Sequence, residues 1–394
     1  MWSLGGDAGV SDDYEFVNKF TKHDYELHFL IPKGEPGSQP DIENFHTHTY
    51  PNFFKAISNL PTFLRRLLLP FLFNSVVIPR ALLLARALKP DFVLGHSHYS
   101  TAATFMLRKL RSLPTGVKLF GVMDLVHTQW PRWKYLYKNA EQMLALKFPQ
   151  DLWIVLDDGT KGREALLRHG VSNEKIHFLP NGINLEWADH ACNREKIRKE
   201  MRIPRDACVV LFLSRFVPSK RPEAVIRSIP RVLELAEREA IFLFVGGGPL
   251  KASSVALAAR SKVAEHTRFM GPVPHSRVPD VFCASDIFIS TSNLTNMAIP
   301  TFEAFVCGVP VVAFDVGDTK KAVKENETGC TVPDGDIEAL ARAITDLANN
   351  EEKRAALGLN AKKYAMENFT SWDERTDKEL EIIDSWVRAS RATS

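Results

Sequence analysis

Asp286-Ile287-Phe288-Ile289-Ser290-Thr291-Ser292 is a β-rich run that feeds a polar loop opening with Asn293-Leu294-Thr295-Asn296, and a short helix carrying Glu303 follows. Gly308-Val309-Pro310 then turns the chain into a second apolar strand at Val311-Val312. Strand, loop, helix, strand is the repeating unit of a parallel α/β sheet. In open sheets of this kind ligands bind outside the carboxyl ends of the strands, and a loop ending at a helix N-terminus offers backbone N–H groups to an anion. A phosphate-bearing ligand is the first expectation.

The run Glu303-Ala304-Phe305-Val306-Cys307-Gly308-Val309-Pro310-Val311-Val312 resembles the donor-site segment of retaining GT-B glycosyltransferases of the family-four type, usually E-A-x-A-C-G-x-P-V-V. Only Val306 departs from that form. In the family a first glutamate stands eight positions earlier, where this chain has Thr295. The resemblance implies an α/β fold of two Rossmann-like, doubly wound domains facing a cleft, with a C-terminal helix that crosses back. It sets an acceptor-binding domain at 1–192, a linker at 193–205, a nucleotide-sugar domain at 206–370 and the crossing helix at 371–394.

Upstream of that stretch, the apolar strand Ala207–Leu213 runs into Ser214-Arg215-Phe216-Val217-Pro218-Ser219-Lys220-Arg221. Arg215 and Lys220 stand five apart just past a strand end, where two cations reach one pyrophosphate. The resemblance implies that they contact the donor diphosphate and stabilise the leaving nucleotide as charge develops; the plain alternative is an exposed basic turn. Glu303 is implied as the acceptor of hydrogen bonds from the ribose hydroxyls, or else is an ordinary acid favoured by the helix dipole. Met297, Ala298 and Ile299 would bring backbone N–H groups to the phosphates, and Thr295 and Asn296 could hydrogen-bond a sugar hydroxyl without supplying negative charge. Gly246-Gly247-Gly248 lacks the spacing of a dinucleotide fingerprint, but in the family such a turn lines the cleft, which makes Gly248 a donor-site position. Asp334-Gly335-Asp336 has the form of a metal-holding D-x-D, yet no apolar strand leads directly into it, and it reads as an N-cap. The family's front-face displacement, in which the leaving phosphate helps deprotonate the acceptor, implies no metal and no cofactor beyond the nucleotide sugar as co-substrate.

In the first half, Gly5-Gly6 resembles the family's glycine loop, but only Trp2-Ser3-Leu4 precedes it, so the first strand is expected to be clipped or missing. A helix over 10–21, a strand at 25–31, a helix at 99–111, a strand at 117–121, a helix at 133–147 and a strand at 152–156 continue the alternation. Pro180-Asn181-Gly182-Ile183-Asn184 resembles the family's phrase before the linker. Gly121-Val122-Met123-Asp124-Leu125-Val126-His127 stands at a strand end, where the family commonly places a histidine near the transferred sugar: His127 is the candidate and Asp124 the alternative. His96 and His98 lie at another strand end and serve equally well as plain loop histidines; His98, with Gly5 and Gly6, is assigned to the acceptor side.

At 394 residues, 45% hydrophobic and 25% charged, the chain has the composition of a two-domain soluble protein. Residues 1–204 carry 26 Lys/Arg against 21 Asp/Glu, and the remainder 24 against 26. Between 53 and 138 thirteen basic residues stand against only Asp91 and Asp124, a basic and apolar section suited to anionic lipid, nucleic acid or an acidic acceptor, or to a plain solvated surface. Pro70 and Pro79 are expected to break the Leu- and Arg-rich text from Phe53 to Leu88 into more than one helix. Its second part would be a core crossover helix and its first part core or an interfacial element. The run Leu67–Pro79 is too short to span a bilayer, and no signal peptide is evident. The five cysteines are scattered, with no C-x-x-C pair and no close His cluster to make a zinc site, which points to a reducing, cytoplasmic setting, with peripheral membrane attachment as an option.

The chain is therefore expected to move a sugar from a nucleotide-sugar donor to a glycolipid or polysaccharide acceptor, with retention. Thr295 in place of the first glutamate, and Lys320-Lys321 where the family often has an acid, leave open a non-catalytic GT-B binding or scaffold subunit. No aromatic-basic motif supports nucleic acid as a partner.

Overall fold

The computed structural model describes residues 17, 25–33, 44–52, 57, 60–121, 125 and 130–392, and the chain divides into two compact units. The first holds Gly9–Gly182 and Trp372–Ser394, the second Ile183–Ser371. Gly5, Gly6, the expected first strand, Asp124 and His127 lie outside the described residues.

Unit 1 opens with β1 (Leu27–Pro32) and β2 (Phe45–Tyr50), a parallel pair. After them come α1 (Thr62–Leu88), β3 (Val93–His96), α2 (Thr101–Arg111), β4 (Thr115–Leu119), α3 (Arg132–Ala145), β5 (Leu152–Leu156), α4 (Gly162–Arg168) and β6 (Ile176–Leu179). Strands β3 to β6 form one parallel sheet in sequence order. Parallel strands are covered on both faces, so they read as uninterrupted apolar runs. Val117, Trp153 and Val155 pack on one side, and Leu152 and Ile154 on the other.

The prolines do not divide α1: Pro70 and Pro79 both lie inside one helix of 27 residues. They stand nine positions apart, about two and a half turns, which puts them on opposite faces of the helix. Asn74 and Ser75 also turn their side chains back onto the carbonyls of Pro70 and Leu72, at 2.8 and 3.0 Å. The helix stops at Lys89 in the left-handed conformation, with its N–H on the carbonyl of Ala85, and Pro90 follows. Unbroken, the segment Leu68–Leu88 is 21 residues long with mean hydropathy 1.8, long and apolar enough to cross a membrane, and 11% of its apolar 18-residue window is buried. Val77 and Ala85 are buried, while Phe71 and Leu83 are each 68% exposed.

Unit 2 contains α5 (Arg194–Glu200), β7 (Cys208–Leu213), α6 (Pro222–Leu235), β8 (Ala240–Val245), α7 (Lys251–Arg260), β9 (Thr267–Gly271), α8 (Val278–Ala284) and β10 (Ile287–Ser290). It continues with α9 (Ile299–Val306), β11 (Val311–Phe314), α10 (Thr319–Ala322), β12 (Gly329–Val332), α11 (Ile337–Asn349) and α12 (Glu351–Asn368). Its parallel sheet runs β12-β11-β10-β7-β8-β9. Two apolar layers cover it: Val209, Leu211, Ile241 and Leu243 point into one, and Val210, Phe212, Phe242 and Phe244 into the other.

The segment 193–205, expected as a linker, is fastened to unit 2. Arg198 is buried, donates to Asp286 at 2.7 Å and to the carbonyls of Ala284, Arg205 and Ala207. Cys192 and Cys283, 91 residues apart, form a disulfide of which their spacing gave no sign.

The final helix α13 (Trp372–Ala392) belongs to unit 1. There Glu379 accepts from Lys118 of β4 at 3.1 Å and from Arg375 at 2.5 Å, all three side chains being 2% exposed or less. Arg375 also donates to the carbonyl of Pro180 at 2.8 Å.

Candidate functional site

The order of the unit 2 sheet reverses between β7 and β10: from β7 the chain builds outward to β8 and β9, then returns to β10, β11 and β12 on the other side. Diverging connections leave a crevice at the carboxyl ends of such a strand pair. The loops that follow β7 and β10 are the two singled out in the sequence, and they are joined to each other. Asn293 donates its N–H to the carbonyl of Ser219 at 3.0 Å, and the Thr291 hydroxyl donates to the carbonyl of Lys220 at 2.8 Å. Arg221 reinforces the joint by donating to the carbonyls of Thr291 and Ser292, both at 2.8 Å, and to Asp334 at 2.6 Å. Arg221, unremarked in the sequence, is thus the structural basic residue, and Arg215 and Lys220 border the crevice, Arg215 exposed and Lys220 half-buried.

The glycines brace the β7 loop from the other side. A Cβ on Gly246 would lie 2.0 Å from the carbonyl oxygen of Ser214, and one on Gly248 2.6 Å from that of Phe216, at φ of 129° and 143°. Phe216 N–H in turn donates to the carbonyl of Gly247 at 2.8 Å. Only glycine permits this approach, so Gly248 shapes the loop that carries Arg215.

In the β10 loop, Asn296 is fully buried. Its carbonyl oxygen accepts from Ser290 at 2.7 Å and from the N–H of Ser292 at 3.0 Å, while its amide donates to the carbonyl of Phe314 at 2.7 Å. This corrects the expectation that Asn296 offers hydrogen bonds to a sugar: the side chain points into the protein and fixes the loop. Thr295 is 8% exposed and its hydroxyl accepts from the N–H of Met297 at 3.0 Å. Ala298 is the N-cap residue of α9 in extended conformation, without a side-chain capping bond. Ile299 begins the helix, and Pro300 has no N–H to offer. Among the described residues, no hydrogen bond engages the N–H groups of Ala298 and Ile299.

Glu303, on the first turns of α9, is 3% exposed and pairs with Nε2 of His275 at 3.2 Å. Burial holds its carboxyl above the usual carboxylate range, and the His275 contact works in the opposite sense. His275 lies on the turn after β9, its ring 4.9 Å from that of Trp187. Sequence reading missed it; its only local signal was a lone histidine after Gly271-Pro272-Val273-Pro274. Asp336 caps α11 by accepting from the N–H of Ala339 at 2.9 Å, as read.

In unit 1 the carboxyl ends of β3, β4 and β5 carry His98, Gly121 and Asp158. His98 sits on a single 3-10 turn, held by Ser97 at 3.3 Å and Glu141 at 3.4 Å. Asp158, not anticipated, is tucked under Gly121, where a Cβ would lie 2.2 Å from its carboxylate. Burial pushes its pKa up, against hydrogen bonds from the Thr160 hydroxyl at 2.5 Å and N–H at 3.1 Å. An acid pair placed directly after the apolar strand β5, Asp157-Asp158, was the available signal.

Residues 14–187 match the Glycosyltransferase Family 4 model and residues 193–364 the Glycosyl transferases group 1 model. The D-inositol 3-phosphate glycosyltransferase of Streptomyces scabiei is 31% identical over 57% of this chain and 52% of its own length. A GDP-mannose-dependent alpha-(1-6)-phosphatidylinositol monomannoside mannosyltransferase of Mycolicibacterium smegmatis is 28% identical over 55% and 58%. The matched part thus spans little more than half the length of these relatives. Sucrose-phosphate synthase from Thermosynechococcus elongatus superposes with a TM-score of 0.75 at 20% identity, covering 97% of this chain and 94% of that one. With a glycosyltransferase model matching each half and two parallel-sheet units of the corresponding fold, the chain belongs to the group 1 glycosyltransferases of the GT-B fold.

Proposed function

We propose that this protein transfers a sugar from a nucleotide-sugar donor to a lipid-borne or glycan acceptor, with retention at the anomeric carbon. The observation that carries the reading is the crevice between β7 and β10, where the loop carrying Arg215 and Lys220 is hydrogen-bonded to the loop that leads into the N-terminus of α9. Cations and a helix N-terminus together suit a diphosphate, and their effect grows as negative charge develops on the leaving group. Glu303 is assigned to the ribose hydroxyls, with His275 orienting it. His98 and Asp158, with Asp124 and His127, are the acceptor-side candidates. The leaving phosphate takes the acceptor proton in this reading, which needs no metal.

The inositol-directed relatives favour an inositol phosphate or phosphoinositide acceptor, and hence a membrane surface. The exposed apolar side chains of α1 and of α3 (Trp133 72%, Tyr137 49% exposed) beside Arg132, Lys134 and Lys138 suit that surface. The cytoplasmic setting is part of the proposal. A free-thiol count on freshly isolated, denatured protein tests it: five thiols support a reducing compartment, and three, with Cys192–Cys283 joined, oppose it.

The deciding experiment is donor turnover by the purified chain over UDP-, GDP-, dTDP- and ADP-sugars, with binding of each free diphosphate in parallel. Release of one nucleotide above a Lys220→Ala control supports the transferase. Thr295, whose hydroxyl is committed to its own loop, favours the second reading, a nucleotide-binding subunit without turnover. Binding without release, even with phosphatidylinositol present, would select it.

A further inference from the structure

The parallel pairing of β1 and β2 sets His28 directly against His46, and Glu26 and His48 fall on the same side of the pleat by the two-residue period. The opposite side carries Leu27, Phe29 and Phe45, which pack into an apolar cluster. Oε1 of Glu26 lies 3.1 Å from Nε2 of His28 and 3.3 Å from Nε2 of His46. All three atoms lie within 4.8 Å of one another. The second nitrogen of His28, Nδ1, faces Nε2 of His48 at 3.0 Å, and the His28 ring stacks on both neighbouring histidines.

We propose that Glu26, His28 and His46 bind one zinc ion, with His48 as the outer hydrogen-bond partner that orients His28. Zinc bonds to imidazole nitrogen and carboxylate oxygen measure about 2.0–2.2 Å in a tetrahedron, whose ligand atoms are then about 3.3 Å apart. The two separations from Glu26 already match that edge. Two nitrogens and one oxygen suit a first-row transition ion better than magnesium or calcium, which take oxygen sets. A ligating imidazole commonly donates its other N–H to a fixed acceptor, which sets the tautomer, and His48 stands where that acceptor belongs. Three protein ligands leave a fourth position for water. Glu26 and His46 are 64% and 50% exposed at their side chains, so an ion reaches the site from solvent. The ion's role is mechanical: His28 and His46 are register partners, so an ion bound to both ties β1 to β2 at that rung. The site lies on unit 1 and does not rest on the assignment of the donor crevice.

Chelator-stripped full chain is titrated with zinc chloride against a chromophoric zinc indicator, and with cobalt(II) for its visible spectrum. The expected result is one zinc per chain, a four-coordinate cobalt spectrum and a zinc-dependent rise in melting temperature. Glu26→Gln and His46→Ala should each lose at least about tenfold in affinity and the melting shift, and His48→Ala about 10–100-fold in affinity, whereas His190→Ala should bind as wild type. Glu26 is exposed, so its variant keeps the question answerable if a histidine variant misfolds. No zinc uptake by the wild type at micromolar concentration, or equal uptake by Glu26→Gln and wild type, overturns the proposal.

Discussion

Nε2 of His275 lies 3.2 Å from Oε1 of Glu303, joining the turn after β9 to α9, and Glu303 is 3% exposed. Burial raises the Glu303 pKa and His275 lowers it, so His275→Ala should raise it further. The acid limb of nucleoside-diphosphate binding should move to higher pH, with affinity at neutrality down roughly tenfold. Binding measured across pH by calorimetry checks this, and an unmoved limb removes Glu303 from the ligand. Because the folded pKa exceeds the unfolded one, Glu303 makes stability fall as pH rises through that interval, and the loss is complete above the folded value.

Glu379 titrates the other way. Burial pushes its carboxyl up, but Lys118 and Arg375 outweigh it, and its pKa lies below the ordinary value. Its contribution to stability is present above the unfolded pKa and is lost as pH falls through the folded one. Glu379→Gln leaves two buried cations short of their counterion and should cost about 3–5 kcal/mol, measured by urea unfolding at neutral pH.

Gly248→Ala should cost about 1–3 kcal/mol, since its φ of 143° and the Phe216 carbonyl both exclude a methyl group. If Gly248 shapes the Arg215 loop, diphosphate affinity should fall with it. The same substitution at Gly335, which has nothing within 4 Å of its Cβ position, should leave affinity unchanged despite its positive φ.

Phe71→Glu with Leu83→Glu should reduce sedimentation with anionic liposomes several-fold and leave diphosphate binding intact, because both side chains are 68% exposed on α1. Raising salt should weaken sedimentation of the wild type as the basic residues are screened. Undiminished sedimentation of the double variant would place the contact elsewhere.

The strands were legible because parallel strands buried on two faces are continuous apolar words; β5 was bounded at Leu152 and Leu156, as observed. Helix α7 was not, since its buried residues are only Ser254 and Ala258 and its sequence has no apolar stripe. Pro70 and Pro79 misled because the sequence shows where a helix loses hydrogen bonds but not whether the helix continues past the gaps, as it does here. Arg215 and Lys220 follow β7, and Glu303 lies on the helix after the β10 loop, the elements on which the sequence put them. Asn296 and His275 were not legible, because their partners Phe314 and Glu303 lie 18 and 28 residues away, and local text carries no record of that distance.

Gly182 and Trp372 bear on how the chain is made. A Cβ on Gly182 would lie 2.4 Å from the Trp372 ring, and the next residue, Ile183, donates its N–H to the carbonyl of Thr370 at 3.0 Å. Unit 2 is thus a continuous insert whose two ends meet, and unit 1 is completed only by a helix that leaves the ribosome after it. At about 5–20 residues per second, Lys118 waits on the order of ten seconds or more for Glu379. The usual order of synthesis is inverted: unit 2 is made whole before Lys118 of the earlier unit meets its buried partner on α13.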